Sequence, residues 1–247
     1  MSFSTLLLLL TFLATVITTM AAVSSTTSLT SILIPLYIYP TPNAWDLLYQ
    51  VITVYPTQPF TIIVNHDSGP GSKRFPGESY REGITKLKTF KNLRIIGYVH
   101  VSYIARKLED VCQDIDRYVG WDEYKKGKIS VDGIFVDEAP EDVGKDAISL
   151  SGFTMINPGV IADKRFYEAT ADAVVSYEDR LAIIVTSVDS SDARERYLLR
   201  KVVERGIGFV YCTIDPDYRK FGIDLVLLVD EVARSNGLVR KRTALSP

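Results

Sequence analysis

The stretch GIFVDEAP, from Gly133 to Pro140, is the part of the sequence that decides the fold class. Three apolar residues lead directly into two carboxylates, Asp137 and Glu138, before a proline interrupts the backbone. This order is typical of a buried parallel strand that delivers charged side chains to its C-terminal end, where α/β proteins bind ligands. The alternative is an aspartate that caps a following helix, with a glutamate in its first turn. The stretch alone supports both interpretations equally.

The rest of the chain alternates apolar segments of strand length with segments of helical periodicity. The strand candidates are SILIPLYIY (31–39), FTIIVN (60–65), RIIGYVHV (94–101), VDGIFVDE (131–138), FTMIN (153–157), AVVSYE (173–178), LAIIVTSV (181–188) and GFVYCTI (208–214). The helix candidates lie at 44–55, 79–90, 106–124 and 192–206. The strands are apolar throughout, as expected when both faces of a parallel sheet are covered. Eight such strands predict an α/β fold of the (β/α)8 TIM-barrel type.

Two connections are shorter than those of a complete barrel. Fourteen residues separate Glu138 from Phe153, with little helical periodicity, and two residues separate Glu178 from Leu181. A crossover between parallel strands takes about a dozen residues or more. The two-residue connection is therefore too short to join consecutive barrel strands in the normal way, and the fourteen-residue connection gives little sign of the helix that a complete barrel would have there. Either one segment is not a strand, or the chain lacks segments after strands four and six that an intact barrel would have.

Composition and the N-terminal segment indicate a secreted globular protein. The chain has 247 residues, of which 47% are hydrophobic and 23% are charged, and its net charge of −2 gives no indication of a nucleic-acid partner. Residues 6–16 form an uncharged apolar run followed by small and hydroxylated residues. This pattern predicts a signal peptide over residues 1–25 and a single domain over residues 26–247. A membrane anchor is the alternative for the apolar run.

The cysteines and histidines give little sign of cross-links or metals. We expect Cys112 on a helix and Cys212 within a strand, which favours two separate thiols over one disulfide. His66 and His100 are the two histidines and lie far apart in the sequence, without a metal-ligand cluster. The sequence therefore predicts neither a metal nor another cofactor.

Four polar segments lie where barrel strands would end at the C-terminal mouth. They are NHDSGPGS (65–72), GYVHVSY (97–103), the Asp137–Glu138 pair and Glu178. For the first two segments, a structural turn and a structural histidine are the alternatives to a binding role. A carboxylate at the end of an apolar strand is unfavourable unless water, a partner or a function compensates for its desolvation. Carboxylates on two strand ends can face each other across a barrel mouth, as a two-carboxylate glycosidase requires.

As an ordered set, these motifs resemble the spherulin-4 family of secreted microbial and fungal proteins. The family includes glycoside hydrolases that act on α-1,4-linked N-acetylgalactosamine in galactosaminogalactan. The resemblance runs from about Ile32 to about Val229 and rests on six motifs, IPLYIYP, NHDSGPGS, GYVHVSY, GIFVDEAP, NPG at 157–159 and VVSYE. It implies a (β/α)8 barrel, in agreement with the strand count.

The resemblance also implies a set of site residues. The catalytic candidates are Asp137, Glu138 and Glu178. The candidates for substrate binding are Asn65, Ser68, Tyr98, His100, Tyr103 and Asn157. His66 stands where the family usually has a proline. The implied partner is a polysaccharide, and we expect no nucleic acid, no membrane association after signal cleavage, and a monomer.

The two short connections leave two functions open. One is an active hydrolase of the endo-α-1,4-N-acetylgalactosaminidase type, in which Asp137 or Glu138 acts with Glu178 as the acid and the base or nucleophile. The other is a catalytically impaired carbohydrate-binding or cell-wall-associated protein. The family normally has a helix after the Asp-Glu strand and a substantial loop after the later glutamate, and both are shortened here.

Overall fold

The structure is a computed structural model that describes residues 29–140, 153–159, 172–175, 182–186, 193–204, 207–213 and 220–238. Within these residues the chain forms eight strands and five α-helices. The strands are β1 Ser31–Leu36, β2 Phe60–Val64, β3 Leu93–His100, β4 Gly133–Asp137, β5 Phe153–Asn157, β6 Ala173–Val174, β7 Ala182–Thr186 and β8 Phe209–Thr213. The helices are α1 Asp46–Val54, α2 Glu78–Leu87, α3 Leu108–Gly120, α4 Ala193–Glu204 and α5 Ile223–Ser235. Short 3-10 turns lie at Ser102–Ile104 and Trp121–Glu123.

All eight strands belong to one parallel sheet in the order β6-β5-β4-β3-β2-β1-β8-β7. Because β1 pairs with β8 as well as with β2, the beginning and the end of the chain meet in the middle of the sheet. This is the strand order of a (β/α)8 barrel, and the predicted fold class is confirmed. In the part of the chain that the structure describes, no pairing joins β6 to β7, so the sheet is open at that seam.

The two short connections have different outcomes. Strands β4 and β5 are direct parallel neighbours, with Gly133 opposite Phe153 and Asp137 opposite Asn157. The fourteen-residue connection therefore joins consecutive parallel strands, as its length allows. Strands β6 and β7 are both strands as well, but they lie at opposite ends of the sheet order. Only residues 175–181 separate them, fewer than a parallel crossover normally takes.

The core lies between the apolar strands and the inner faces of the helices. Every residue of β1 and β2 is buried, as expected for strands covered on both faces. Helix α1 buries Leu48, Val51 and Ile52, which lie on one face at helical spacing. Helix α2 buries Tyr80 and Ile84 in the same way. The sequence pattern thus sets which helix face packs on the sheet.

Helix α5 was not predicted from the sequence pattern. It packs beside α4 and contains Glu231, of which 1% is exposed. Arg200 of α4 donates from Nε to Oε1 of Glu231 at 3.0 Å, and Arg234 of α5 donates from Nη1 to Oε2 at 3.2 Å. A buried carboxylate needs such partners, so these bonds fix α5 against α4.

The remaining predictions about the chain as a whole concern its thiols and its N-terminus. Cys112 lies on α3 as an exposed free thiol, and Cys212 lies within β8, as expected for two separate thiols. The predicted signal peptide falls within residues 1–28, which lie outside the described residues. Among the described helices, none has the length and apolar character needed to cross a membrane.

Candidate active site

The C-terminal ends of β3, β4 and β5 bring three predicted site residues together at Asp137. The sheet register places His100 and Asn157 on either side of it. The Tyr98 hydroxyl donates to Oδ2 of Asp137 at 2.8 Å, and Nδ2 of Asn157 donates to Oδ1 at 2.8 Å. Each carboxylate oxygen accepts a bond from a neighbouring strand, which fixes the orientation of the Asp137 side chain.

These contacts favour the site interpretation of the Asp-Glu pair over the helix-cap interpretation. Among the described residues, the hydrogen-bond partners of the Asp137 side chain come from the flanking strands. Asn157 is itself held in place, because its Oδ1 accepts from the Gly159 N–H at 3.2 Å and its main-chain oxygen accepts from the Ala139 N–H at 3.0 Å. Gly159 has a φ of 73°, a conformation that favours glycine. The NPG motif therefore shapes the turn that orients the amide.

Tyr98 is a buried donor to the carboxylate. Burial raises the pKa of its phenol above the ordinary value of 10.0, and the negative charges of Asp137 and Glu138 raise it further. The hydroxyl therefore keeps its proton at neutral pH and remains a hydrogen-bond donor. The ring of Tyr37 packs edge-on against Tyr98, with centroids 5.7 Å apart, which restricts its rotation.

Glu138 leaves the strand in a left-handed conformation. Its φ is 51°, which costs a non-glycine residue roughly 1–2 kcal/mol. Its side chain is 43% exposed, and Oε2 lies 3.7 Å from Nδ1 of His100. The same His100 nitrogen lies 3.0 Å from Oγ of Ser102. Strain of this kind is concentrated at functional sites, where the surrounding structure maintains it.

The turn that follows β3 is pinned to the end of β4. Three successive residues, Ser102 to Ile104, have φ values of 50°, 52° and 73°. The Val101 N–H donates to the main-chain oxygen of Asp137 at 3.0 Å, and the Tyr103 N–H donates to that of Glu138 at 2.7 Å. The Tyr103 side chain is 61% exposed. This strained turn was not predictable from the residue types, and it determines where the Tyr103 side chain leaves the backbone.

Tyr103 also lies near the NPG turn. A Cβ atom added at Gly159 would lie 3.7 Å from the hydroxyl of Tyr103. The exposed ring therefore stands between the β3 turn and the end of β5, beside the carboxylate pair. Its predicted role in sugar binding is compatible with this position and stays a prediction.

Asn65 and Ser68 belong to the loop between β2 and α2. Oδ1 of Asn65 accepts from the Gly69 N–H at 3.0 Å, and its main-chain oxygen accepts from the Tyr80 hydroxyl at 3.1 Å. The side-chain oxygen of Asn65, which was expected to bind a ligand, therefore accepts a hydrogen bond within the loop and holds the loop in shape. Ser68 is exposed and has a φ of 49°. Binding roles for these two residues stay predictions.

A cleft of about 300 Å³ lies between this loop and α3. Its walls are formed by Asp67, Ser68, Gly69, Pro70, Gly71, Ser72, His100, Arg106, Asp114 and Arg117. Arg106, Asp114 and Arg117 were not predicted from the sequence as site residues. The Asp114–Arg117 pair lies at i, i+3 spacing on the predicted helix, and this was the signal available in the sequence. The cleft adjoins the Asp-Glu pair through His100.

The third catalytic candidate, Glu178, lies outside the described residues, so its distance from the Asp-Glu pair stays untested. Among the residues that the structure does describe, no group of three or more His, Cys, Asp or Glu side chains could hold a metal ion.

Fold and site together define a parallel (β/α)8-barrel protein with an acidic pair at the mouth. The model of the family described as Spherulation-specific family 4 matches residues 31–182, more than half of the chain. The chain belongs to this family, and the predicted resemblance is confirmed.

The chain is similar to a curated relative and to a solved structure. Spherulin-4 from Physarum polycephalum is 35% identical over 159 residues, which are 60% of this chain and 44% of that protein. The match therefore spans less than half the length of this relative. The crystal structure of Aspergillus clavatus Sph3 in complex with GalNAc is similar with a TM-score of 0.72 and 28% identity. That similarity covers 83% of this chain and 98% of the Sph3 chain.

Proposed function

We propose that this protein is a glycoside hydrolase that cleaves α-1,4-linked N-acetylgalactosamine polysaccharide such as galactosaminogalactan. The observation that carries the proposal is the oriented Asp137 carboxylate, held by Tyr98 and Asn157 beside the exposed Glu138 at the strand ends. The similarity to a solved protein in complex with GalNAc supports this sugar as the recognition unit.

The two acids differ in ways that suit different roles. Both oxygens of Asp137 accept hydrogen bonds from protein groups, so Asp137 is suited to act as a fixed negative charge near the oxocarbenium-like transition state. The Glu138 side chain is 43% exposed and reaches solvent, so it is suited to exchange a proton with the leaving oxygen. Glu178 then supplies the second carboxylate that the reaction requires.

The linkage of the proposed substrate also favours two protein carboxylates. On an α-galactosaminide, the acetamido group lies cis to the leaving oxygen and cannot attack the anomeric carbon from the opposite face. The nucleophile or base must therefore come from the protein.

Product release from the purified protein tests the proposal. Mass spectrometry should detect oligosaccharides released from galactosaminogalactan. Asp137→Asn and Glu178→Gln should each lower the rate by about 10²–10⁴-fold, the usual contribution of a group that transfers a proton or stabilises charge. Glu82→Gln, on an exposed position of α2, is the matched control and should retain the wild-type rate. Full activity in both site variants would refute the assignment.

A second candidate function is binding without catalysis. The open seam between β6 and β7 favours it, because Glu178 lies in the short connection between these strands. In that case, galactosaminogalactan would retain the protein in a pull-down assay while no product formed. Retention with product release would exclude this candidate, and failure to bind would exclude both.

We also propose that the protein is secreted after removal of residues 1–25. The apolar N-terminal run supports this proposal. N-terminal sequencing of the protein recovered from a culture medium should give a start between Ala22 and about Thr26, which corresponds to cleavage after Ala21 to Ser25. Recovery only from the membrane fraction, with residue 1 intact, would contradict it.

A further inference from the structure

The cleft between the 65–72 loop and α3 is continuous with the candidate active site. His100 lines the cleft, and its Nδ1 atom lies 3.7 Å from Oε2 of Glu138. A ligand that fills the cleft would therefore extend towards the acidic pair. The volume of about 300 Å³ is at the lower end of the range for small-molecule sites.

One wall of the cleft is an Arg-Asp-Arg group whose two arginines have different surroundings. Arg106 donates from Nη1 to the main-chain oxygen of His100 at 2.8 Å and from Nη2 to Oδ2 of Asp114 at 2.7 Å. Arg117 donates from Nη1 to Oδ1 of Asp114 at 2.7 Å. The Asp114 side chain is 12% exposed, whereas the Arg117 side chain is 34% exposed. Arg106 therefore has a structural role, since it ties the end of β3 to α3.

Arg117 is the member of this group that can reach a ligand. A guanidinium has five N–H donors. In the contacts described for Arg117, one nitrogen donates to Asp114, so the other donors face the cleft or solvent. Asp114 also fixes the position of this guanidinium, so little side-chain freedom would be lost on binding.

The charges of the cleft indicate a polar ligand without net charge. Two arginines and two aspartates line it, and Asp67 is the exposed acid on the loop side. The formal charges of these four residues cancel, so the cleft lacks the excess positive charge of an anion site. It presents donors on the α3 side and acceptors on the loop side, as the hydroxyl and amide groups of a sugar require.

We propose that this cleft is a second sugar-binding subsite, in which Arg117 and Asp67 are the groups that determine specificity. The inference rests on the proposed function and extends it, because a protein with this subsite recognises a polysaccharide chain and not a single terminal sugar. The reacting unit lies at the acidic pair, and a neighbouring unit lies over the Gly-Pro-Gly turn against α3.

Calorimetric titration with sugars of increasing length tests the proposal. All proteins carry Asp137→Asn, so that the ligand is not hydrolysed, and the ligands are GalNAc and its α-1,4-linked oligomers of two to six units. In the parent protein, affinity should increase with chain length. Arg117→Gln should weaken binding of the oligomers about tenfold, as expected for loss of a charge-assisted hydrogen bond, and leave GalNAc binding unchanged.

The matched control is Arg234→Gln on α5. Like Arg117, Arg234 pairs with an acid three residues before it on its helix, but it lies away from the cleft. This variant should bind all the sugars as the parent protein does. A second variant, Ser72→Trp, fills the cleft from its exposed loop side without removing an ion pair. It should abolish the gain in affinity with length.

The outcomes separate the subsite from the proposed function. If the parent binds GalNAc but its affinity does not rise with length, the subsite is refuted and the proposed function survives. The subsite is also refuted, and the proposed function survives, if affinity still increases with chain length in both Arg117→Gln and Ser72→Trp. If the parent binds no sugar of any length, the proposed function fails and the subsite fails with it.

Discussion

The two halves of this barrel differ in the length of one strand and of the connection that follows it. Residues 29–140 contain three strands that are each followed by a helix, and then β4, and we call them the regular half. In the second half, β6 has two residues, and only residues 175–181 separate it from β7. Strand β7 is followed by α4 and β8. The short strand β6 and the short connection after it therefore distinguish the second half.

This difference matters because the candidate site spans the boundary between the halves. Tyr98, Asp137 and the cleft belong to the first half, whereas Asn157 belongs to the second. Glu178 lies in the connection after β6. Under the proposed function, we therefore expect sugar binding to depend mainly on the regular half and catalysis to depend on both halves. The following predictions test this division, from the largest expected effect to the smallest.

The largest effect should come from matched isoleucine substitutions in the two halves. Ile62 of β2 is fully buried, and Ile156 of β5 is 5% exposed. Ile62→Ala should lower the free energy of unfolding by about 2–5 kcal/mol, the usual loss for a large-to-small change in a core. Ile156→Ala should cost less, because the site can relax towards β6, which pairs with β5 over two positions.

Denaturant unfolding of the two isoleucine variants measures this difference. A single transition that shifts in both variants would show that the halves unfold together. If Ile156→Ala lowered the free energy of unfolding as much as Ile62→Ala, the expected difference between the two halves would be contradicted. That result would mean that β5 is packed as tightly as β2.

The next effect concerns the contact between the halves. Gly133 begins β4 opposite Phe153 of β5, and a Cβ atom there would collide with the main-chain oxygen of Phe153. Gly133→Ala should therefore destabilise the protein by about 1–3 kcal/mol, as overpacking does. Gly120→Ala, at the end of α3, is the control. A Cβ atom at Gly120 meets nothing within 4 Å, so that change should stabilise by about 0.4–1 kcal/mol.

Thermal and denaturant unfolding would check the glycine pair, and binding of GalNAc would add a functional readout. Gly133→Ala should also weaken the Asp137–Asn157 contact at the other end of the same two strands. If Gly133→Ala and Gly120→Ala were equally stable, the close packing of β4 on β5 would be refuted.

The fold was predictable from the sequence because buried parallel strands leave a strong pattern. All eight strand segments correspond to strands, and FTMIN matches β5 at both ends. The pairing of β4 with β5 was left open by the sequence, because the fourteen-residue connection between them shows little helical periodicity. Helix α5 was missed, because its buried Glu231 interrupts the apolar face. The charge of Glu231 is balanced by Arg200, which lies far away in the sequence, and by Arg234, which lies one turn further along the same helix.

The site was predictable only in part. The strand-end pattern put His100 and Asp137 at the same edge of the sheet, where the register makes them neighbours, whereas Tyr98 and Asn157 were named from the family resemblance. The left-handed backbone of Glu138 and of the Ser102–Ile104 turn could not be inferred, since none of these residues is glycine or asparagine. The Asp114 wall of the cleft depends on how α3 packs on the loop, which is a long-range contact.

A smaller effect should reveal the backbone strain at Glu138. At an ordinary position alanine is more stable than glycine, but a φ of 51° reverses that order. We therefore expect Glu138→Gly to be more stable than Glu138→Ala by about 1 kcal/mol. The same pair at Glu123 of the 3-10 turn, which has no positive φ, should show the ordinary order. Both Glu138 variants should lose activity, because both lack the carboxylate. The difference in stability between them therefore reports the backbone strain alone.

The smallest expected effect is the change with alkaline pH in the contribution of Tyr80, a residue of the regular half, to the stability of the protein. Burial raises the pKa of Tyr80 to about 12, with further contributions from Tyr39 and Asp67. Its hydroxyl also donates to the main-chain oxygen of Asn65, which holds the cleft loop. Because the unfolded chain releases this proton first, near pH 10, the contribution of Tyr80 to stability is complete below pH 10 and is lost as the pH rises towards 12.

Tyr80→Phe should therefore lower stability by about 1 kcal/mol at pH 8, through loss of the hydrogen bond, and by less at pH 11. Denaturant unfolding at the two pH values measures the change. Tyr49→Phe is an independent test in the same half, since burial also raises the pKa of Tyr49 to about 12. If the wild type and both variants lost stability in parallel between pH 8 and pH 11, the buried phenols would not be a source of the alkaline sensitivity. The regular half would then owe its rigidity to apolar packing, and the cleft loop would keep its shape without the Tyr80–Asn65 bond.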